Sequence, residues 1–253
     1  MRQKIIALVN QKGGVGKTTT AVNVAAQLAS PSSPVLLVDL DPQGNATSGL
    51  GVPKESLKTT TYEVLCHGTP LMQAVQGTMT PGLFVLPANA NLAGAEVELV
   101  NKDRREFALK KALEPADFKY IFIDCPPSLG LLTVNGLAAA SQVFIPVQAE
   151  YYALEGLSQL LNTIQAIKQG VNPDLGLLGI AITMYDKRTS LAEQVVKELE
   201  NYFGEGLFKT SIPRNVRLAE APSFGQTIFE HDKWSKGARA YKALSKEVKE
   251  RLS

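Results

Sequence analysis

Residues 9–20 read VNQKGGVGKTTT, and between Lys12 and Thr20 lie three glycines, two lysines and three threonines. Gly13, Gly14 and Gly16 lack Cβ atoms, so the backbone between them can turn its N–H groups onto an anion. A helix starting near Lys17 adds the positive end of its dipole. The chemistry is that of a phosphate cradle that includes Val15: Lys17 reaches the β and γ phosphates of a nucleotide, the Thr18 hydroxyl ligates Mg²⁺, and Thr19 contacts the α-phosphate. The competing reading is a chance glycine-rich turn, and an apolar run before the loop with helical spacing after it favours the cradle. The spacing departs from the common G-x-x-x-x-G-K-[ST] pattern, because Gln11 stands where its first glycine belongs. Lys12 follows it. A lysine at the start of the loop cannot easily fold onto phosphates that Lys17 already holds, which leaves Lys12 free to reach outward.

Two further segments offer carboxylates. VLLVDLDPQGNAT (35–47) ends an apolar run in Asp39 and Asp41, with Pro42 and Gly44 turning the chain away. Residues two apart in a strand point the same way, although that direction can change at the strand's end. Asp39 is open between metal support and a helix or turn cap. YIFIDCPPS (120–128) ends a second apolar run in Asp124, the pattern of a carboxylate that holds Mg²⁺ through its waters. Pro126 and Pro127 stiffen the exit, as a segment sensing the γ-phosphate requires. No Glu or Gln offers a stronger base and no Arg lies in these loops, so hydrolysis is expected to be slow and to need a partner that accelerates it.

Positioning these groups requires strands that end together. Short apolar runs at 5–10, 35–41, 83–88, 120–124, 143–147 and 177–183 read as buried strands, and helical spacing occurs at 18–29, 104–113, 129–140, 154–168 and 190–202. Strand alternating with helix predicts an α/β, doubly wound, mainly parallel sheet with helices on both faces, in one domain over residues 1–253. Ligands in such sheets sit beyond the carboxyl ends of the strands, where all the candidate loops lie. Residues 44–82 read as surface loops with short helices. Near the C-terminus, Ala238, Tyr241, Leu244, Val248 and Leu252 fall on one helical face suited to packing on the sheet.

The loop K-G-G-x-G-K-T resembles that of the deviant phosphate-loop ATPases that include the ParA/Soj segregation proteins, the MinD positioning proteins and the nitrogenase iron protein. The resemblance covers nearly the whole chain through residues 10–20, VDLDPQGNATSGLG (38–51), IDCPPSLG (123–130), IPVQAEYYALEGL (145–157) and IPRNVRLAEAPSFG (212–225), and the last two point to ParA/Soj. It implies that Lys12 crosses a dimer interface to the ATP of the other subunit. It assigns Asp41 to orienting and polarising the attacking water, and Asp39 to supporting Mg²⁺ through water. It also makes Met184 and Pro213 contacts of the adenine.

The same resemblance implies ATP and ADP with Mg²⁺ as cofactors, an ATP-dependent homodimer, a ParB-type centromere-binding partner and nonspecific double-stranded DNA. The first strand begins within ten residues of the start, so no helix-turn-helix reader is expected and DNA binding should rest on phosphate contacts. Arg188 and Arg217 match positions that relatives use for DNA; Lys209, Arg214, Lys233, Lys236, Arg239 and Lys242 could extend the patch, against the bland reading of a solvated charged face. Charge fits a local patch: the net is +2, with 13 Lys and Arg against 14 Asp and Glu over residues 1–180 and 13 against 10 beyond. Two departures from the family pattern stand out, Ser and Pro at 30–34 and Lys233 in place of a usual proline. A MinD-like membrane ATPase needs a spare amphipathic tail, which is not expected here. An iron protein needs cluster cysteines, and Cys66 and Cys125 suit buried thiols better. With no signal peptide expected, the protein is read as cytoplasmic and nucleoid-associated.

Overall fold

The computed structural model describes residues 3–150 and 153–253. Seven strands form one sheet: β1 (Lys4–Leu8), β2 (Val35–Asp39), β3 (Gln76–Gly77), β4 (Leu83–Leu86), β5 (Tyr120–Asp124), β6 (Gln142–Gln148) and β7 (Gly176–Thr183). Their order is β3-β4-β2-β5-β1-β6-β7, and every pairing is parallel except that of β3 with β4. Among the described residues, five helices run nine residues or longer: α1 (Lys17–Leu28), α2 (Leu131–Ala139), α3 (Ala153–Gly170), α4 (Ser190–Phe203) and α5 (Lys236–Arg251). All six expected strands are present. The two-residue edge strand β3 is an addition, too short to leave a period in the sequence.

Strand periodicity sorts the core into two layers. Ala7, Leu36, Val38, Ile121, Ile123, Val143 and Ile145 pack with Leu132 and Leu137 of α2, Leu160 of α3 and Leu199 of α4. Their neighbours Ile6, Leu8, Val35, Leu37, Phe122 and Phe144 pack on the other face with α1 and with Ala238, Tyr241, Leu244 and Val248 of α5. That apolar stripe is therefore the covering of one sheet face, as its spacing suggests. The two helices on this face are also linked by a buried hydrogen bond of 3.1 Å between the Thr20 and Tyr241 hydroxyls.

Residues 44–82 contain the short helices Asn45–Gly49, Thr61–His67 and Leu71–Ala74. The expected helix over 104–113 is shortened. Arg104 has φ of 53°, outside the helical region, so a single 3₁₀ turn (Arg105–Phe107) precedes the helix Ala108–Leu113. Both cysteines are buried and unbridged. Among the described residues no helix is long and apolar enough to cross a membrane.

Candidate active site

The carboxyl ends of β1, β2 and β5 lie side by side, since Leu8 and Asp39 are both in register with Asp124. Backbone bonds continue the alignment past the strands: Leu40 N donates to the Asp124 carbonyl at 3.0 Å and Cys125 N to the Leu8 carbonyl at 3.2 Å. The loop following β1 turns through Gly14 (φ 75°) and Gly16 (φ 83°), a left-handed backbone that any side chain would strain. Three contacts fix that loop. Asn10 Nδ2 donates to the Pro146 carbonyl at 2.7 Å, Lys12 N to Asn10 Oδ1 at 2.9 Å, and Thr183 Oγ1 to the Val15 carbonyl at 2.8 Å. The Val15 side chain is buried, so this residue contributes through its backbone.

The two lysines part company. Lys17 is 7% exposed and its Nζ donates to the Lys12 carbonyl at 3.2 Å, inside the loop. Burial lowers its pKa, opposed by the charges of Asp124 and Asp41. Lys12 is exposed, and its ammonium pairs with Glu150 outside the loop. Lys12 thus stands outside the cradle that Lys17 fills.

Thr18 Oγ1 donates to Asp124 Oδ2 at 2.7 Å. Asp124 is 1% exposed and its other oxygen, Oδ1, is buried without a hydrogen-bond partner among the described residues. Burial first, then the neighbouring Asp39, pushes the Asp124 carboxyl up to about 8. A buried carboxylate with an orphaned oxygen beside a hydroxyl is a donor set that suits Mg²⁺, which takes one or two protein ligands together with phosphate and water. Thr18 and Asp124 therefore fit the ion.

Asp39 is bonded to its own turn. Its Oδ2 accepts from Thr47 N at 2.8 Å and Thr47 Oγ1 at 2.6 Å, and its Oδ1 from Asp41 N at 3.2 Å. Both oxygens already serve protein donors, and the residue is fully buried. Burial raises its pKa to about 6 despite these bonds. Asp39 thus braces the turn that follows β2, which fits its capping alternative. Asp41 is placed differently: half-buried, with its Oδ1 accepting from Gln43 N at 2.9 Å, it lines the cleft.

That cleft has a volume of about 470 Å³. Gly13, Gly14, Gly16, Lys17, Thr18 and Thr19 form one wall, Asp41, Gln43, Asn45 and Ser48 another, and Met184, Leu218, Ala221 and Pro222 an apolar end suited to a planar base. Met184 lines the cleft, whereas Pro213 is outside the lining, held on the extension of β7 by the bonds of Ile212 and Arg214 to Tyr185. Leu218, Ala221 and Pro222 went unrecognised in the sequence. Their signal is the apolar spacing 218, 221, 222 inside the quoted 212–225 segment.

The basic candidates divide into groups. Arg188 is exposed and forms a two-pronged pair with Asp186, Nε to Oδ1 at 2.9 Å and Nη2 to Oδ2 at 2.7 Å, and Arg214 adds its field to the same carboxylate. Arg217 pairs with Glu220 at 2.8 Å and Asp232 at 3.7 Å. Lys233 lies 5.3 Å from the Trp234 ring centroid. Lys209, Arg214, Lys233, Lys236, Arg239 and Lys242 are all exposed, and among the described residues none lies within ion-pair distance of a carboxylate.

A mainly parallel sheet with an inner strand feeding a glycine loop, and with a buried lysine, a threonine and a strand-end aspartate around one cleft, defines a phosphate-loop nucleotide-binding protein. Residues 3–177 match the family model described as an AAA domain. The chain is 56% identical over 250 residues to the chromosome partitioning protein ParA of Myxococcus xanthus, covering 98% of this chain and 88% of that one. It is 54% identical over 247 residues to the sporulation initiation inhibitor protein Soj of Bacillus subtilis, covering 97% and 98%. A solved structure from Mycobacterium smegmatis, named as cobyrinic acid a,c-diamide synthase with bound ADP and magnesium, superposes with a TM-score of 0.84 at 40% identity, covering 97% of this chain and 93% of that one. The chain belongs to the ParA/Soj family of chromosome-partitioning ATPases.

Proposed function

We propose that this chain is a nucleotide-switched DNA clamp: two copies close around ATP, bind double-stranded DNA without sequence preference, and let go after slow hydrolysis that a ParB-type partner accelerates. The observation carrying this reading is the separation of the two loop lysines, Lys17 buried in the cleft and Lys12 exposed outside it. One lysine serves the local nucleotide and the other is available to a nucleotide bound by a second copy, as an arginine finger is in trans. The family members named for chromosome partition support the same function.

Each residue then has a task. The N–H groups of Gly13 to Thr19 and the start of α1 receive the phosphates, and Lys17 neutralises their charge in a site where burial strengthens every electrostatic contact. Thr18 and Asp124 hold Mg²⁺, which supplies charge neutralisation at the phosphates. Asp41, fixed by the Asp39–Thr47 brace, orients and polarises the attacking water. The apolar end formed by Met184, Leu218, Ala221 and Pro222 seats the base. Arg188, Arg217 and the exposed lysines supply phosphate contacts to DNA, and joining two such surfaces in a dimer multiplies a weak affinity.

The test is duplex DNA binding measured against salt concentration with ATP, ADP or no nucleotide, for the wild type and Asp41→Ala. Binding that needs ATP, falls steeply with salt and outlasts the wild type in the variant is the expected result. Binding indifferent to nucleotide overturns the clamp. Turnover of a carboxylate substrate into an amide would instead move the chain toward the activity in the name of the Mycobacterium smegmatis structure.

A further inference from the structure

A second concavity of about 910 Å³ shares no lining residue with the nucleotide cleft. It lies between the helix Thr61–His67 with the loop after it and the segment running from Leu99 to Pro115. Its floor is apolar, with Val64, Leu65, Leu71 and Leu99 buried and Phe107 half-buried. Its rim is basic: Lys102, Arg104, Arg105, Lys110 and Lys111 stand against only Asp103 and Glu114.

The cations on this rim are held apart from acid. Lys102 donates to the Cys66 carbonyl, Arg105 Nη1 donates to the Val100 carbonyl at 2.6 Å, and the Arg104 guanidinium lies 5.2 Å from the Phe107 ring centroid. Among the described residues, no carboxylate comes within ion-pair distance of any of the five. Arg188 and Arg217, by contrast, are already paired with carboxylates of their own chain. Uncompensated positive charge around a greasy floor is complementary to a ligand with negative charge around apolar groups.

We propose that this cleft docks an acidic peptide segment of a partner protein, its carboxylates on the rim cations and one or two apolar side chains on the floor. A DNA duplex has no apolar side chain to seat on Leu65 or Phe107. Arg104, with φ of 53°, caps the start of the 3₁₀ turn Arg105–Phe107, and its guanidinium lies over the Phe107 ring at the rim. This docking is independent of the nucleotide site and of the clamp reading.

The experiment is fluorescence anisotropy of the full chain with a short fluorescein-labelled peptide of alternating Glu and Leu. Saturable binding is expected, weakened roughly tenfold or more in the double variant Arg104→Glu, Lys111→Glu, with charge pairs of this kind setting the scale. The peptide with Gln for Glu, and the peptide with Ser for Leu, should both bind less well. Since charge reversal can disturb folding, Lys110→Gln with Lys111→Gln is the second variant; it should also weaken binding while leaving ATP hydrolysis and the thermal midpoint unchanged. No saturable binding, binding by both variants as tight as by the wild type, or binding of the Gln peptide as tight as of the Glu peptide overturns the proposal. So does loss in the variants of binding to duplex DNA or phosphatidylglycerol vesicles with peptide binding intact.

Discussion

Lys12 and Lys17 are five residues apart and meet opposite environments, so their alanine variants should fail in different ways. Lys17→Ala removes a buried ammonium from the phosphate cradle and should weaken ATP binding about 10- to 100-fold, the scale of a lost charged hydrogen bond. Lys12→Ala removes an exposed side chain paired with Glu150, so ATP affinity should hold while the ATP-dependent dimer is lost in sedimentation. Titration calorimetry of both variants separates the two roles, and a Lys12→Ala protein that still dimerises with ATP rules out the trans contact. Asp39→Asn tests the bracing role of that carboxylate. An amide cannot accept from Thr47 N and Thr47 Oγ1 and again from Asp41 N, so a buried donor is left unpaired at a cost of about 1–3 kcal/mol in denaturant unfolding.

Elements decide where such residues stand, and the turn after β2 shows it. Gly44 has φ of 61°, and a Cβ there would lie 2.5 Å from the Ala88 carbonyl oxygen. Gly44→Ala should therefore cost about 1–3 kcal/mol of stability and slow hydrolysis, because the displaced turn carries Asp41; thermal unfolding and phosphate release measure both. The sequence makes this arrangement half visible. The β-branched runs ending in Asp39 and Asp124 declare buried parallel strands, and the glycine spacing declares the cradle, because both patterns are local. The bond from Asp39 to Thr47 is not local: it needs the chain to reverse through Gly44, and nothing in the string Asp-x-Asp says which of the two carboxylates turns inward. The apolar end of the cleft was hidden for a similar reason, since Leu218, Ala221 and Pro222 resemble ordinary packing residues until the fold sets them against Thr19 and Met184. The helical spacing over 104–113 overshoots the helix Ala108–Leu113 because a positive φ at a non-glycine residue such as Arg104 leaves no mark in hydrophobic period.

At the scale of the whole molecule the net charge of +2 is too small to draw the protein to DNA, so binding must depend on where cations are free of their own carboxylates. Arg188 is the instructive case. It is exposed, yet both prongs of its guanidinium rest on Asp186, whose carboxyl they hold well below the usual range. A phosphate must compete with that carboxylate before it gains the arginine. Asp186→Asn removes the competitor without touching the cation, and should therefore strengthen duplex binding in the ATP state. Each phosphate contact adds about 0.9 to the magnitude of the slope of log affinity against log salt, so a dimer with two released arginines should steepen by about 2. Arg188→Ala in the Asp186→Asn background should return affinity and slope to the wild-type values. If Arg188 lies off the DNA, the two substitutions change the slope little, and the contact surface shifts to Arg214, Lys233 and Lys236, which among the described residues have no carboxylate within ion-pair distance to give up. A salt titration of both variants with ATP decides between these surfaces.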